Sequence, residues 1–371
     1  MCVTTSRKAL NTFMAIPFLF LSVLALPSKA EFKDPLDIPA VEQKNSLNKP
    51  FIGSSQKGRL SVIVGPAGLI LASSDAGQSW KQAQVPVQSD LVAVTLVSES
   101  KGWAVGHDGV ILVTADGGAS WQKQLDGVMA AEQFKKYYEN MLKKGEPEAE
   151  LALEATELNY RDGPALPYLD VWFKNESVGF AVGAFGNIAR TDDGGDTWAP
   201  WTHRIDNESG LHLNSVTAVG GGIFIGSERG TIFRLNEETN IFEIIDTGYS
   251  GSFTGITGDD SQVIAYGLQG TAYRSTDSGA NWQVVAGLPR STINNAFLRA
   301  DGKGFVLVSQ AGELVLTDHY FSSFDVLNSE KTTIYTSVVE AADNEFLVTT
   351  LEGVERISLS ERKTEKPRTQ E

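Results

Sequence analysis

The chain has 371 residues, of which 42% are hydrophobic and 21% charged, enough apolar material for a sizeable core and too much for wholesale disorder. Thirty-one Lys and Arg against 46 Asp and Glu give a net charge of −15, which argues against general binding to nucleic-acid phosphates. A single cysteine, Cys2, excludes an internal disulfide or a thiolate metal site. His107, His203, His212 and His319 are scattered without metal-ligand spacing, so neither metal nor cofactor is expected.

Residues 1–30 read as a secretory signal. Arg7 and Lys8 precede a nearly apolar stretch from Phe13 to Leu26, and Ser28-Lys29-Ala30 places small residues where a signal peptidase inspects the chain. The stretch is too short and too interrupted, by Pro17 and Ser22, to favour a spanning helix. Cys2 lies ahead of it and is not placed as a lipidated cysteine after cleavage. The expectation is an exported protein from Glu31 onward. Its net charge would be −18, since residues 1–30 hold three basic residues and no acid.

Self-similarity dominates residues 31–360. Four segments end in Ser/Thr-x-Asp-x-Gly-x-x-Trp: Ser73 to Trp80, Thr114 to Trp121, Thr191 to Trp198 and Ser275 to Trp282. Each follows a β-rich run and a glycine turn, as in Trp103-Ala104-Val105-Gly106-His107-Asp108-Gly109. Three weaker copies run from Ile223 to Phe242, from Phe305 to Phe324 with Asp318 out of register, and from Phe346 to Ser360. The aromatic markers Trp80, Trp121, Trp198, Phe242, Trp282 and Phe324 recur every 40 to 44 residues, apart from one interval of 77. Seven units of about 42 residues with short strands predict a seven-bladed β-propeller of four-stranded blades. In the second unit the strands are expected at Leu91–Val97, Gly102–Gly106, Val110–Thr114 and Ser120–Gln124. The Gly-x-x-Gly joining the second strand to the third is expected to be a turn that needs positive φ.

In each box the Asp carboxylate can accept backbone N–H groups and the Gly can turn left-handed, while the Trp anchors the hairpin. Asp75, Gly77, Trp80, Asp116, Gly118, Trp121, Asp193, Gly195, Trp198, Asp277, Gly279 and Trp282 are therefore assigned structural roles. The seventh unit stops before a fourth strand, and residues 361–371 are a polar tail expected to be disordered. The segment from Leu36 to Lys44 is expected to supply the missing strand and close the ring.

The long interval holds an insert at residues 127–168. Met129 to Lys144 predicts a helix, with Phe134, Tyr137, Tyr138 and Met141 on one face. Glu148 to Tyr160 predicts a second, with Leu151, Ala155 and Leu158 along its apolar side. Because strands alternate direction, the insert should lie on the face of the turns between second and third strands, opposite the boxes. There it can pack on the blades, cap the channel or offer a second contact.

The residue before each box varies in one informative way. Units three, four and five carry Arg190, Arg234 and Arg274, whereas units one, two and six carry Ala72, Val113 and Leu316. Three successive blades would thus line up guanidinium groups, which suit bidentate recognition of carboxylates or, structurally, pair with an Asp box or stack on its Trp.

The box resembles the bacterial neuraminidase repeat. In sialidases that repeat is a folding element, and the chemistry lies elsewhere. Glycoside hydrolysis needs two carboxylates converging on one bond, and no such pair is marked here, nor is a nucleophile elbow or phosphate loop. Taken together, the signal, the seven Asp-box units and the arginine row resemble the photosystem II stability/assembly factor family of propellers. The resemblance covers residues 36–360 apart from the insert. It implies a non-enzymatic, monomeric accessory factor of the periplasm or thylakoid lumen that binds a membrane-protein complex or its exported segments, with the family's arginine patch falling on Arg190, Arg234 and Arg274. The alternative is a glycan-binding or glycan-cleaving propeller, with Trp103, Trp172 and Trp201 available to stack on sugars.

Overall fold

Apolar runs such as Leu60–Val64 and Gly102–Gly106 are buried along their whole length rather than on alternate residues. That pattern arises when both faces of a sheet are covered. In the computed structural model, which describes residues 33–163, 165–329 and 332–359 together with Met1, these runs are the second strands of seven antiparallel sheets. The expected leader and polar tail lie outside the described residues.

Each sheet is a meander of consecutive strands. The first strands are Gly53–Lys57, Leu91–Leu96, Tyr168–Phe173, Leu213–Val219, Phe253–Asp259, Ile293–Leu298 and Tyr335–Ala342. They pack against one another around a central channel of about 490 Å³, to which all seven blades contribute. In blade two the strands run over Leu91–Leu96, Gly102–Gly106, Ile111–Thr114 and Gln122–Leu125, within two residues of expectation.

Side chains at the start of the first strands latch four of the seven blade junctions, from blade four round to blade one. Asn214 Nδ2 donates to Phe253 O at 2.8 Å, Thr254 Oγ1 donates to Ile293 O, and Asn294 Nδ2 donates to Tyr335 O at 2.6 Å. Thr336 Oγ1 carries the series from blade seven to blade one by donating to Phe51 O at 2.7 Å.

Ring closure differs from expectation. Blade seven has three strands, Tyr335–Ala342, Glu345–Thr350 and Gly353–Ser358, and residues 36–44 do not pair with it. They run instead along blades one and two. Ala40 N–H donates to Val85 O at 2.9 Å, and Lys123 Nζ reaches Leu36 O at 2.9 Å. The chain then crosses to blade seven, where Phe51 N–H donates to Thr350 O at 2.9 Å. Closure rests on the packing of blade one against blade seven, with Ser54 and Ser337 hydroxyls 2.8 Å apart and Arg356 bonded to Ala76 O.

The glycine turns have the positive φ expected of them, at the second glycine of each pair. Gly109, Gly186 and Gly270 have positive φ, between 67° and 73°. The first glycine of each pair does not: Gly106 and Gly183 are fully extended. They are small because a Cβ there would lie 2.0 Å from Asp90 O and 2.1 Å from Pro167 O. The extra left-handed residue is the one between, Asp108, Phe185 or Gln269.

Helix α1 spans Gly127–Lys143 and α2 spans Ala149–Tyr160. Asp126 caps α1 by accepting from Met129 N at 2.8 Å. Ala130 and Phe134 join the core between blades two and three, and Tyr138 and Met141 are buried against α2. Gly109 abuts Gly127, which places the insert on the face of the turns between second and third strands, as expected. The predicted apolar side of α2 is overturned. Ala149, Ala152 and Thr156 face inward, while Leu151 is 76% and Leu158 57% exposed. None of the residues described as lining the channel belongs to the insert.

Candidate binding face

The four Asp boxes turn between third and fourth strands. Asp75 Oδ1 accepts from Ser73 Oγ at 2.7 Å and from the N–H groups of Gln78 and Ser79 at 3.0 and 2.8 Å, and its Oδ2 accepts from Ser79 Oγ at 2.6 Å. Asp116, Asp193 and Asp277 repeat the pattern with Ser120, Thr197 and Asn281. The carboxylates are consumed by the turn. Hydrogen bonds from Asn281 and Ser275 hold Asp277 down to about 2, and those from Ser73 and Ser79 hold Asp75 well below the usual carboxylate range. The box glycines are left-handed and also touch the preceding blade. A Cβ on Gly195 would lie 1.9 Å from Gln124 Oε1, and one on Gly279 would lie 2.8 Å from the Phe224 ring. Trp121 and Trp198 are buried, whereas Trp80 and Trp282 are half-buried. Blade six forms a displaced box: Asp318 accepts from Tyr320 N, Ser322 N and Ser323 Oγ.

The strand register shows that the arginines are equivalent. Arg190, Arg234 and Arg274 each occupy the third strand opposite a residue of the second, namely Phe180, Phe224 and Ile264. Ala72, Val113 and Leu316 hold the same place in blades one, two and six. The three guanidiniums are half-buried at the rim of the box face, each beside an aromatic ring. Arg190 lies 4.6 Å from the Trp201 centroid, Arg234 5.7 Å from Phe224, and Arg274 5.8 Å from Tyr320 of the next blade. Their charges differ in availability. Arg190 is paired to Asp192 at 2.7 Å. Arg274 uses Nε on Gln262, leaving its terminal nitrogens aside. Arg234 has no ion pair among the described residues.

Sequence reasoning missed two features around this row. Gly220, Gly221 and Gly222 open a groove of about 340 Å³ beside Arg234, walled by Trp172, Lys174, Glu237 and Asp259; a Cβ at Gly222 would press on Arg234 Nε at 3.1 Å. The three successive glycines were the available signal. The second feature is a chain of polar contacts with no sequence signal: Arg274 to Gln262, Gln262 to His319, and His319 to Asp259. Burial raises the Asp259 carboxyl, but hydrogen bonds from Ser261 and His319 outweigh it and hold the group below its ordinary value.

The other singled-out tryptophans are mostly committed. Trp103 is buried and stacks on Phe173 at 3.4 Å, and Trp201 lies under Arg190. In the channel, Asp170 is the one carboxylate among the described lining residues. It accepts from Val171 N and Val216 N at 2.8 Å each, and burial raises it to about 7. Among the described residues no group of His, Cys, Asp and Glu could hold a metal, and no helix is long and apolar enough to cross a membrane.

Sheet count, boxes and arginine register together define an Asp-box seven-bladed propeller whose distinguishing features are on its surface. A family model described as photosynthesis system II assembly factor YCF48 matches residues 72–146 and 151–331, and the chain belongs to that family. A curated relative, the photosystem II assembly lipoprotein Ycf48 of Synechococcus sp. (strain CC9902), is 30% identical over 176 residues, 43% of this chain and 52% of the relative. The match thus spans about half of that relative's length. Among solved structures, YCF48 bound to D1 peptide superposes with a TM-score of 0.62 at 15% identity, over 86% of this chain and 99% of that one. YCF48 from Cyanidioschyzon merolae gives 0.60 at 16%, over 85% and 97%. The WD40 propeller domain of Doa1 also gives 0.60, at 12%, over 87% and 95%. At such identities the superpositions speak to fold alone.

Proposed function

We propose that this chain is a non-enzymatic, exported accessory factor that holds an acidic segment of a membrane-protein complex, in the manner of a photosystem II assembly factor, with Arg190, Arg234 and Arg274 contacting the carboxylates. The observation that carries the reading is the register: three successive blades place arginine at one equivalent position in a chain of net charge −15. Family membership supports it, as does the D1 peptide bound in one structural relative. The export half rests on the leader-like residues 1–30 and on the curated relative's being a lipoprotein. A monomer suffices, since the row lies within one ring.

A hydrolytic reading is weaker because two carboxylates are required and the described channel wall offers Asp170 alone. A sugar-binding reading is left with Trp172, the singled-out tryptophan that reaches the groove.

The test is replacement of all three arginines by Gln, followed by crosslinking in intact cells and identification of captured membrane proteins. Half-exposed charge contacts contribute about 0.5–1 kcal/mol each, so capture should fall about 10- to 100-fold. Arg190→Gln alone should do least, because Asp192 already neutralises it. Undiminished capture by the triple variant refutes the arginine role.

A further inference from the structure

On the face opposite the boxes, three successive turns carry residues that their backbone disfavours. Before the closing glycine, blades three, four and five have Phe185, Arg229 and Gln269 at φ of 54°, 54° and 57°. This conformation suits Gly, Asn or Asp and strains a bulky side chain. Blade two meets the same geometry with Asp108, so the turn itself does not ask for phenylalanine. Phe185 is also 58% exposed, and its ring meets His212 edge-on at 4.8 Å. Strain and exposure both count against the fold, and strained exposed residues gather where they meet a ligand.

Phe185 begins a continuous tract. His212 N–H donates to Glu228 Oε2 at 2.9 Å, beside Arg229. Gly230 N–H donates to Gly251 O at 2.6 Å. Tyr249 Oη donates to Leu268 O at 3.3 Å, and Leu268 is 40% exposed. A Cβ on Gly270 would lie 3.3 Å from Arg290 Cα. Along the ring the surface therefore reads Phe185, Arg229, Leu268, Arg290, alternating apolar and cationic. Both arginines are exposed, and among the described residues neither has an ion-pair partner.

We propose that this tract is a second interaction surface, which takes a polypeptide segment with aromatic or aliphatic side chains interleaved with carboxylates. Phe185 and Leu268 would receive the apolar side chains, and Arg229 and Arg290 the carboxylates. A peptide fits better than an anionic bilayer: Asp206 and Glu208 flank Asn207, which lies against Gly186, Asp246 pairs with Thr231 beside the Arg229 turn, and these three exposed carboxylates would repel a continuous sheet of negative headgroups while sparing a segment that threads between them. The surface is separate from the arginine row, so one molecule could hold two segments at once.

The probe is a fluorescein-labelled dodecapeptide alternating Glu with Phe and Leu, titrated by anisotropy against the whole chain. Its partners are the same peptide with Gln for Glu and phosphatidylglycerol vesicles. The expected result is saturable binding of the acidic peptide that weakens at least fivefold in Phe185→Gly and in Arg229→Gln, is lost with the Gln peptide, and persists when Arg190, Arg234 and Arg274 are all Gln. Phe185→Gly should unfold at the same temperature as the parent or higher, since glycine relieves the left-handed strain, so its loss of binding is not a loss of fold. Failure to bind the acidic peptide, equal binding by Phe185→Gly and Arg229→Gln, or binding to vesicles without binding to the peptide overturns the proposal.

Discussion

Asp170 makes the stability of this ring depend on pH in an unusual direction. Its carboxyl sits in the channel wall between blades three and four, accepting from Val171 N and Val216 N, with no cation paired to it among the described residues. Burial raises it from 3.8 to about 7. At pH 5 or 6 the folded chain therefore keeps a proton that the unfolded chain has already released. The folded state binds more protons, so stability from this group is complete below about pH 4, falls as pH rises toward 7, and is flat beyond. At 1.36 kcal/mol per pH unit the total is about 4 kcal/mol. His203 works in the same window with the opposite sign. Burial lowers it to about 4, so the unfolded chain takes up a proton the folded chain refuses, and stability rises with pH toward 6.5 by a smaller amount because the ring is partly solvated. The parent should therefore lose stability between pH 4.5 and 7.5, but more gently than Asp170 alone would dictate, because the smaller His203 contribution opposes it.

Asp170→Asn separates them. The amide oxygen still accepts from one of the two N–H groups, and the titration disappears. Urea unfolding followed by tryptophan fluorescence at pH 4.5, 5.5, 6.5 and 7.5 should show the variant gaining on the parent steadily, by about 3 kcal/mol across the series. The box aspartates do not blur the comparison. Their carboxyls are held down, Asp277 and Asp318 to about 2, so their stabilisation is present above the unfolded carboxylate value and is lost as pH falls below it. Parallel profiles for parent and variant would mean that Asp170 ionises normally in the channel wall and that its burial does not raise the carboxyl.

Two further outcomes concern the frame. In the box of blade three, the Thr191 hydroxyl accepts from the buried Gly195 N–H and donates to Asp193, each at 2.8 Å, so Thr191→Val strands a buried donor and should cost about 1–3 kcal/mol. Thr197→Val removes an exposed hydroxyl bond to the same aspartate and should cost less than about 1 kcal/mol; equal losses in urea unfolding would deny the inner hydroxyl its role. In the insert, Phe134→Ala empties a side chain that is 2% exposed between blades two and three and should cost about 3–5 kcal/mol, while Leu158→Ser, on the exposed side of α2, should stay within about 0.5 kcal/mol. A large effect of Leu158→Ser in thermal unfolding would show that this side is covered.

How much of this was legible in the residues depends on whether the constraint was local. The boxes were, because every partner of Asp75 lies within four positions of it. Blade number and strand limits were legible for a similar reason: a repeated local turn sets a repeated period. The arginine equivalence followed from that period and was carried by the register. What failed was non-local. Residues 36–44 were assigned to blade seven because that blade lacked a strand, yet their polar groups find partners on blades one and two, at Val85, Gln82 and Lys123. The face of α2 was misjudged because hydrophobic spacing alone cannot say which side meets α1; small Ala149 and Ala152 allow the close approach, and larger Leu151 and Leu158 are turned outward. The glycine groove beside Arg234 brings together three blades whose residues are far apart in sequence.

The same geometry explains how a scaffold this regular can carry two unlike surfaces. The latches Asn214, Thr254, Asn294 and Thr336 fix blades four to seven and blade one to one another, so the outer turns of those blades can vary without loosening the ring. On the box face the turns are consumed by carboxylate hydrogen bonds, and the variation is pushed back to the third strand, where an aromatic ring supports each arginine. On the other face the turns use only a left-handed residue and a glycine, and the side chain of the left-handed residue points outward for exchange, as Phe185 and Arg229 do. Rigid half-buried cations suit a defined acidic segment, because little side-chain entropy is left to lose on binding. Exposed turn residues recognise by surface chemistry and lose more freedom on binding. If the box face holds an acidic segment as proposed, it should do so with the greater selectivity, and charge-preserving Arg→Lys substitutions at residues 190, 234 and 274 should impair binding where the same change at Arg229 is tolerated.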